Sequence, residues 1–398
     1  MSQDILVVGA GVFGLTAALA LRERGHSVSV LDPGPIPHPL AASTDISKAV
    51  RMEYGADEQY MAMAEQAIAG WHLWNEMSND TLYHEVGVTM VSRSQMEPGG
   101  FEHDSYHLLL KRGHSPDRLN AEAICRRFPA WHPGAYVDGF FHAKGGYAES
   151  GRVIEFLYQR ALEKDITLVK EPVVSICVTE GIVQGVQVAN GTRYHAGCVL
   201  VASGAWTPLL VPALQSQMKA TGHPVFHLKL VNNVEFFPPN FSVFTADIAQ
   251  TGWYGFPVHP RTGVLKIANH GVGQHLHPAD DPRVVFPEDE AELRNFLANT
   301  FPAIKHAAVV YTRRCLYADT RDEHFLIDEH PDVLGLFVST GGSGHGFKFA
   351  PVLGGLIADK LERKENNWLP KFAWRFMEKN NKGEEAARFH GKPNKTEN

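Results

Sequence analysis

The sequence predicts an α/β and α+β fold, in which a parallel-sheet domain is interrupted by an inserted, largely antiparallel one. Three observations carry that expectation. Ile5-Leu6-Val7-Val8 is a β-branched run that enters the glycine turn Gly9-Ala10-Gly11-Val12-Phe13-Gly14 and then a helix-forming stretch. Residues 221–317 alternate like strands and are punctuated by Pro and Gly, as in Trp253-Tyr254-Gly255-Phe256-Pro257. The chain then returns to a strand at 334–340, followed by a second glycine turn, Gly341 to Gly346, that opens a helix.

Taken in order, residues 15–24 read as a helix that Gly25 stops, and 27–31 as a second buried strand closing on Asp32. Strand, turn, helix, strand and acid together have the spacing of a Rossmann-like dinucleotide site. A helix is expected over 57–76, and 81–147 is mixed and turn-rich. An amphipathic helix over 152–164 leads into a strand over 166–178, and 181–188 alternates as a hairpin strand. Cys198-Val199-Leu200-Val201-Ala202 is another buried strand, and 347–364 a helix. The aromatics of 368–376 are expected to pack on a surface. The nucleotide-binding domain is therefore assigned to 1–80, 148–220 and 318–378, the inserted substrate domain to 81–147 and 221–317, and 379–398 is expected to be a loose tail.

Composition narrows the function. A chain of 398 residues, at roughly 150 per domain, holds two or three folding units. With 44% hydrophobic and 20% charged residues it is globular rather than disordered. A net charge of −7 offers no basic surface for nucleic acid. Cys125, Cys177, Cys198 and Cys315 form no CxxC pair, so neither a disulfide framework nor a metal is assigned. No apolar run reaches the roughly 20 residues that cross a bilayer, and the N-terminus has no basic leader. The cytoplasm and a monomer or small homo-oligomer are expected.

In the first glycine turn, Gly9 allows the tight bend, Gly11 lets the backbone approach a pyrophosphate, and Gly14 lets helix and strand pack closely. Asp32 stands where a carboxylate accepts hydrogen bonds from a ribose. That carboxylate suits NAD and FAD alike. The second turn, with Gly344 and Gly346, brings the chain back toward the far end of a long cofactor, which favours FAD.

The order and spacing of several stretches resemble the monomeric sarcosine oxidase family of amine-oxidising flavoproteins, within the D-amino-acid oxidase fold group. They are Gly9 to Gly14, Lys48-Ala49-Val50-Arg51-Met52-Glu53-Tyr54-Gly55, Ser203-Gly204-Ala205-Trp206, Lys266-Ile267-Ala268-Asn269-His270, Cys315-Leu316-Tyr317 and Gly344-His345-Gly346-Phe347-Lys348. The resemblance runs from residue 4 to about 362. It implies FAD held by a thioether through Cys315, with His345 donating a hydrogen bond to the cofactor. Arg51 and Lys348 are implied to grip the substrate carboxylate, a pairing that suits an arginine fork and a mobile ammonium. Lys266 matches the oxygen-activating lysine, His270 a histidine beside the substrate, and Tyr254 and Tyr317 aromatics lining the cavity. Lys48, grouped with the cofactor-binding residues, replaces the arginine of sarcosine oxidases and is similar to the pattern of fructosyl-amino-acid and pipecolate oxidases.

The function expected is an FAD-dependent oxidase of a secondary amine carrying a carboxylate, giving an imine and reducing O2 to H2O2. An Amadori oxidase, a dehydrogenase using another electron acceptor, and a non-catalytic nucleotide-binding sensor are the rivals. Read without the resemblance, Arg51 suits a surface ion pair, Lys266 an exposed strand lysine, and Cys315 a small buried hydrophobe.

Overall fold

A computed structural model describes residues 4–231, 234–378 and 383–391. Its first sheet has six strands in the order Leu326–Glu329, Leu336–Thr340, Cys198–Val201, Asp4–Val8, Ser27–Leu31 and Thr167–Val169. All neighbours are parallel except the first pair. Both faces of these strands are covered, which is why Ile5 to Val8 and Cys198 to Val201 are continuous apolar runs rather than alternating ones. The helices Val12–Glu23, Ser150–Glu163 and Ala350–Leu361 bury one apolar cluster with Val7, Leu200 and Phe337. An antiparallel trio, Val173–Thr179, Ile182–Val188 and Arg193–His195, packs Val183 and Val186 with Leu6, Val8 and Val199 in another.

The second large sheet joins residues from both expected segments of the inserted domain. Met218–Lys229, Val264–Asn269, Trp253–Gly255, Val243–Ala246, Val88–Ser92, Asp138–His142 and Asp117–Asn120 follow one another across it, and Val243–Ala246 runs parallel to Val88–Ser92 while the other pairs are antiparallel. The long strand Ala308–Thr320 pairs with Met218–Lys229 from Met218↔Thr320 to Lys229↔Ala308. The expected domain crossings at 220/221 and 317/318 thus lie side by side, with Ala220 opposite Ala318 and Thr221 opposite Tyr317. A two-stranded ladder carries the chain between the two sheets.

Three local expectations are corrected. The run 166–178 is two strands, because Pro172 between them has no N–H for a ladder. The last long helix begins at Ala350, with Pro351 in its first turn, so Lys348 lies in the preceding 3₁₀ turn Gly346–Phe349 rather than in the helix itself. The tail is not uniformly loose: Glu385, Ala387 and Arg388 are buried. Residues 379–382 and 392–398 lie outside the described ones. In the 368–376 stretch, Phe372 is fully buried against Tyr60 and Phe325, and Phe376 is exposed.

Candidate active site

The first glycine turn sits at the carboxyl end of the central strand. A Cβ on Gly14 would fall 1.9 Å from the Gly9 carbonyl oxygen, so only glycine lets the helix start this close to the strand. Gly11 caps the helix without a side-chain hydrogen bond, and its first turn carries no acid. Asp32 is already engaged: one carboxylate oxygen accepts from the Ala10 N–H and the other from the Gly34 N–H, both at 2.8 Å. Each oxygen keeps a lone pair for a ribose hydroxyl, and the acid also holds the turn in shape.

Between the two sheets lies a partly open cavity of about 60 Å³. Its walls include Lys48, Arg51, Tyr254, Lys266, His270, Tyr317, Gly344, His345 and Lys348, together with Glu385 from the C-terminal segment. Arg51 comes from the chain just after the short strand Lys48–Val50, and Lys348 from the second glycine turn, almost 300 positions later. Both are buried, which excludes the surface ion pair for Arg51. The guanidinium lies 5.2 Å from the Tyr54 ring centre and 5.4 Å from that of Phe101, and its Nη1 has no hydrogen-bond partner.

Lys348 is fixed at both ends. Its carbonyl accepts from Trp71 Nε1 at 2.8 Å, and its Nζ donates to the Tyr54 hydroxyl at 2.8 Å and the His345 carbonyl at 2.9 Å. Burial first and the Arg51 charge second push the Lys348 pKa well below that of an ordinary lysine, against the pull of Glu385 and Glu53. His345 Nε2 faces the Glu323 carbonyl at 3.0 Å, which can only accept, so Nε2 carries the proton. Its Nδ1 then accepts from the Tyr54 hydroxyl, also at 3.0 Å. Burial lowers the His345 pKa to about 3, keeping the ring neutral. Both ring nitrogens meet protein partners here, so a ring hydrogen bond from His345 to a cofactor would require one of these contacts to open. Gly344 is required beside it, since its φ is +80° and a Cβ would lie 2.2 Å from the Tyr317 ring.

Lys266 is 2% exposed, which excludes the exposed strand lysine. Its Nζ donates to Asp45 Oδ2 at 2.7 Å and to the Ser47 carbonyl at 2.6 Å. Burial lowers its pKa to about 8, opposed by Asp45 and assisted by Lys48. Asp45 itself also faces Arg313 at 3.1 Å and His227 at 3.2 Å. Burial alone would raise its pKa, yet Lys266, His227, Arg313 and Lys48 hold it well below the carboxylate range. Tyr254 and Tyr317 are phenols whose pKa values burial raises. Tyr317 stacks on His223 with 3.9 Å between ring centres. Cys315 is not itself a cavity wall, but it is buried in one small cluster with Tyr317 and Tyr254, which are.

A family model described as FAD dependent oxidoreductase, DAO, matches residues 4–360. The chain belongs to this family. It is 30% identical to the L-saccharopine oxidase of Schizosaccharomyces pombe over 95% of this chain and 94% of that one. It is also 30% identical to an N-methyl-L-tryptophan oxidase of Escherichia coli, over 92% of this chain and 97% of that one. Among solved structures, the fructosyl amine:oxygen oxidoreductase Amadoriase I of Aspergillus fumigatus matches with a TM-score of 0.79 and 26% identity, covering 94% of this chain and 90% of that one. The protein is an FAD-dependent oxidoreductase with the amine-oxidase fold of these relatives.

The residues present fit FAD. The glycine start of the first helix has no acid in its first turn and, although the Val12 N–H is held by Ser43 Oγ at 3.0 Å, offers partial positive charge to a pyrophosphate. The unpartnered Arg51 Nη1 opens on the cavity beyond it.

Sequence reasoning missed Glu385, Arg388, Asp45 and Tyr54 as site residues. Glu385 Oε2 is 2.6 Å from His270 Nε2, and Oε1 is 3.8 Å from Arg51 Nη2. Arg388 anchors that segment on Asp319 at 2.7 Å and Glu323 at 3.2 Å. The only signal was local: an Ala-Ala-Arg-Phe core inside an otherwise polar tail.

Proposed function

We propose that this enzyme oxidises a secondary amine carrying a carboxylate, an N-methyl or cyclic amino acid, to an imine that water hydrolyses, with O2 reduced to H2O2. The observation that carries the reading is the meeting of Arg51 and Lys348, both buried, on one cavity, with Arg51 Nη1 lacking a partner. An arginine fork in that state is matched by a planar carboxylate, which two N–H groups can hold in one orientation. FAD supplies the two-electron acceptor for the hydride lost from the substrate's α-carbon. Lys348, tied to Tyr54 and the His345 carbonyl, points its charge at the same carboxylate. Tyr254, Tyr317 and Phe347 form the wall that keeps water off the reacting carbon. Lys266 keeps an ammonium in the wall of the cavity, where it favours the negative charge that builds as O2 is reduced.

In this reading Cys315 holds FAD through a thioether, and the protein works in the cytoplasm as a monomer or small homo-oligomer. Support for the first comes from the burial of Cys315 beside Tyr254 and Tyr317, and for the second from four unpaired cysteines. No helix among the described residues is long and apolar enough to cross a membrane.

Lys48 on the cavity wall favours a second reading, a fructosyl-amino-acid oxidase, in line with the name of the Aspergillus relative. Peroxide release measured with sarcosine, pipecolate, N-methyl-L-tryptophan, saccharopine and fructosyl-glycine separates the two. Turnover of fructosyl-glycine alone selects the second, and turnover of none refutes both.

A further inference from the structure

The C-terminal segment closes the cavity with a carboxylate. Arg388 Nη2 and Nη1 bind Asp319 and Glu323, and its Nε donates to the Gly271 carbonyl at 3.2 Å. The backbone is pinned on either side, with Glu384 N–H on the Asp322 carbonyl and Phe389 N–H on the His270 carbonyl, both at 3.1 Å. The Glu385 N–H donates to Glu323 Oε2 at 3.1 Å. Glu385 is thereby built into the wall rather than draped over it.

Its two oxygens differ. Oε2 is held by His270, whereas Oε1 is buried, has no hydrogen-bond partner, and stands 3.8 Å from Nη2 of Arg51, a guanidinium whose other terminal nitrogen, Nη1, is also unpartnered. A separation of 3.8 Å is too long for a hydrogen bond, so neither group satisfies the other. A buried anionic acceptor left open toward a cavity costs free energy unless a ligand donates to it. Burial alone would raise the pKa of this acid, but the contact with His270 and the charge of Lys348 hold it well below the usual carboxylate range, so it is ionised when ligand arrives.

Building on the carboxylate-binding reading above, we infer that Glu385 is the anionic half of a zwitterion cradle. Arg51 and Lys348 take the substrate's carboxylate, and Glu385 Oε1 accepts a hydrogen bond from its protonated secondary amine. The residue selects at binding for the zwitterion with ammonium and carboxylate separated by one carbon, and the N–H proton passes along this hydrogen bond to the Glu385 carboxylate before the neutral amine loses hydride. Simple carboxylic acids, which the cationic side alone would accept, are disfavoured by the same negative charge.

The test compares two small ligands of nearly equal shape on the FAD-loaded enzyme: sarcosine, which carries the ammonium, and (methylthio)acetate, in which a thioether replaces it. Affinity for the acid is read by calorimetry, and that for sarcosine from the concentration dependence of anaerobic bleaching. Glu385→Gln is expected to weaken sarcosine tenfold or more, the loss typical of a charged hydrogen bond, while (methylthio)acetate binds as well or more tightly. Glu385→Asp, which keeps the charge, should retain part of the preference. Arg51→Gln should weaken both ligands. Equal loss of both in Glu385→Gln would make the residue a structural strut, and equal tightening would make it a built-in competitor for Arg51; either overturns the inference while leaving the carboxylate-binding reading intact. A wild-type enzyme that binds neither ligand refutes that reading and the inference with it.

Discussion

Replacing Asp45 by asparagine should slow the reaction with oxygen without touching the amine-binding side of the cavity. Lys266 is almost fully buried and keeps its proton because Asp45 lies 2.7 Å away; burial and the Lys48 charge act against it, leaving a pKa of about 8. At pH 7 about nine molecules in ten then carry the ammonium, and at pH 9 about one in ten. The rate at which the reduced enzyme consumes O2 should therefore fall about tenfold between those values as the lysine loses its proton. An opposite charge at this distance is worth roughly one to three pKa units. Removing it with Asp45→Asn, while Arg313 and Lys48 stay, brings the midpoint to between about 5 and 7. At pH 7 the charged fraction drops to between about one in two and one in a hundred. Since losing an electrostatic stabiliser of developing negative charge costs roughly 10²–10³ in rate, the variant should react about twofold to about a hundredfold more slowly at pH 7. Stopped-flow mixing of the substrate-reduced enzyme with O2, from pH 6 to 10, measures this directly. A wild-type rate that is flat to pH 9.5, or an Asp45→Asn rate equal to wild type, would refute the assignment of Lys266.

Arg51→Gln should lower kcat/KM for a carboxylate-bearing amine by roughly 10²-fold, in line with truncating one partner of a buried charged hydrogen-bond pair, and the wild-type preference for the carboxylate over its carboxamide should vanish in the variant. Cys315→Ala should release FAD into the supernatant on acid precipitation while wild type keeps its yellow colour in the pellet; release from both proteins argues against the thioether. Arg388→Met leaves Asp319 and Glu323 buried without their cation, so the free energy of unfolding in guanidinium should drop by about 3–5 kcal/mol, and an unchanged midpoint would show that the C-terminal segment contributes little.

The parts of the fold legible in the sequence are those specified locally. Gly9 to Gly14 announces its turn because the constraint, a helix starting against a strand, acts within six residues. Strands such as Cys198–Val201 announce themselves by being apolar on both faces. Arg51 and Lys266 were found through the resemblance, since each alone looks like any basic residue, whereas Lys348 also stood out as a cation at a glycine-rich helix start; only the meeting of two sheets buries all three around one cavity. The contacts of His345 were out of reach of the sequence for the same reason. Its partners, the Tyr54 hydroxyl and the Glu323 carbonyl, are 291 and 22 positions away, and one of them is backbone that no side-chain pattern reveals. Glu385 was invisible because a polar C-terminal run ordinarily stays solvated. It is buried here only because Arg388 finds two acids on distant segments and His270 and Arg51 face the carboxylate.

The arrangement around Arg51 and Glu385 is poor for stability, and that is an argument for its function. Two charges have been taken out of water, face each other at 3.8 Å without a hydrogen bond, and keep Nη1 and Oε1 unsatisfied. Desolvation of such a pair outweighs an attraction this loosely formed, and well-packed apolar replacements of buried ion pairs often stabilise proteins by about 1–4 kcal/mol. Arg51→Met combined with Glu385→Met should therefore raise the unfolding midpoint of the enzyme, while each single replacement, which strands the other charge, should lower it. The double variant should at the same time lose all affinity for sarcosine and for (methylthio)acetate. If it were instead less stable than both single variants, the two groups would be partners of one another, and the cavity would have no unmet charge to offer a substrate.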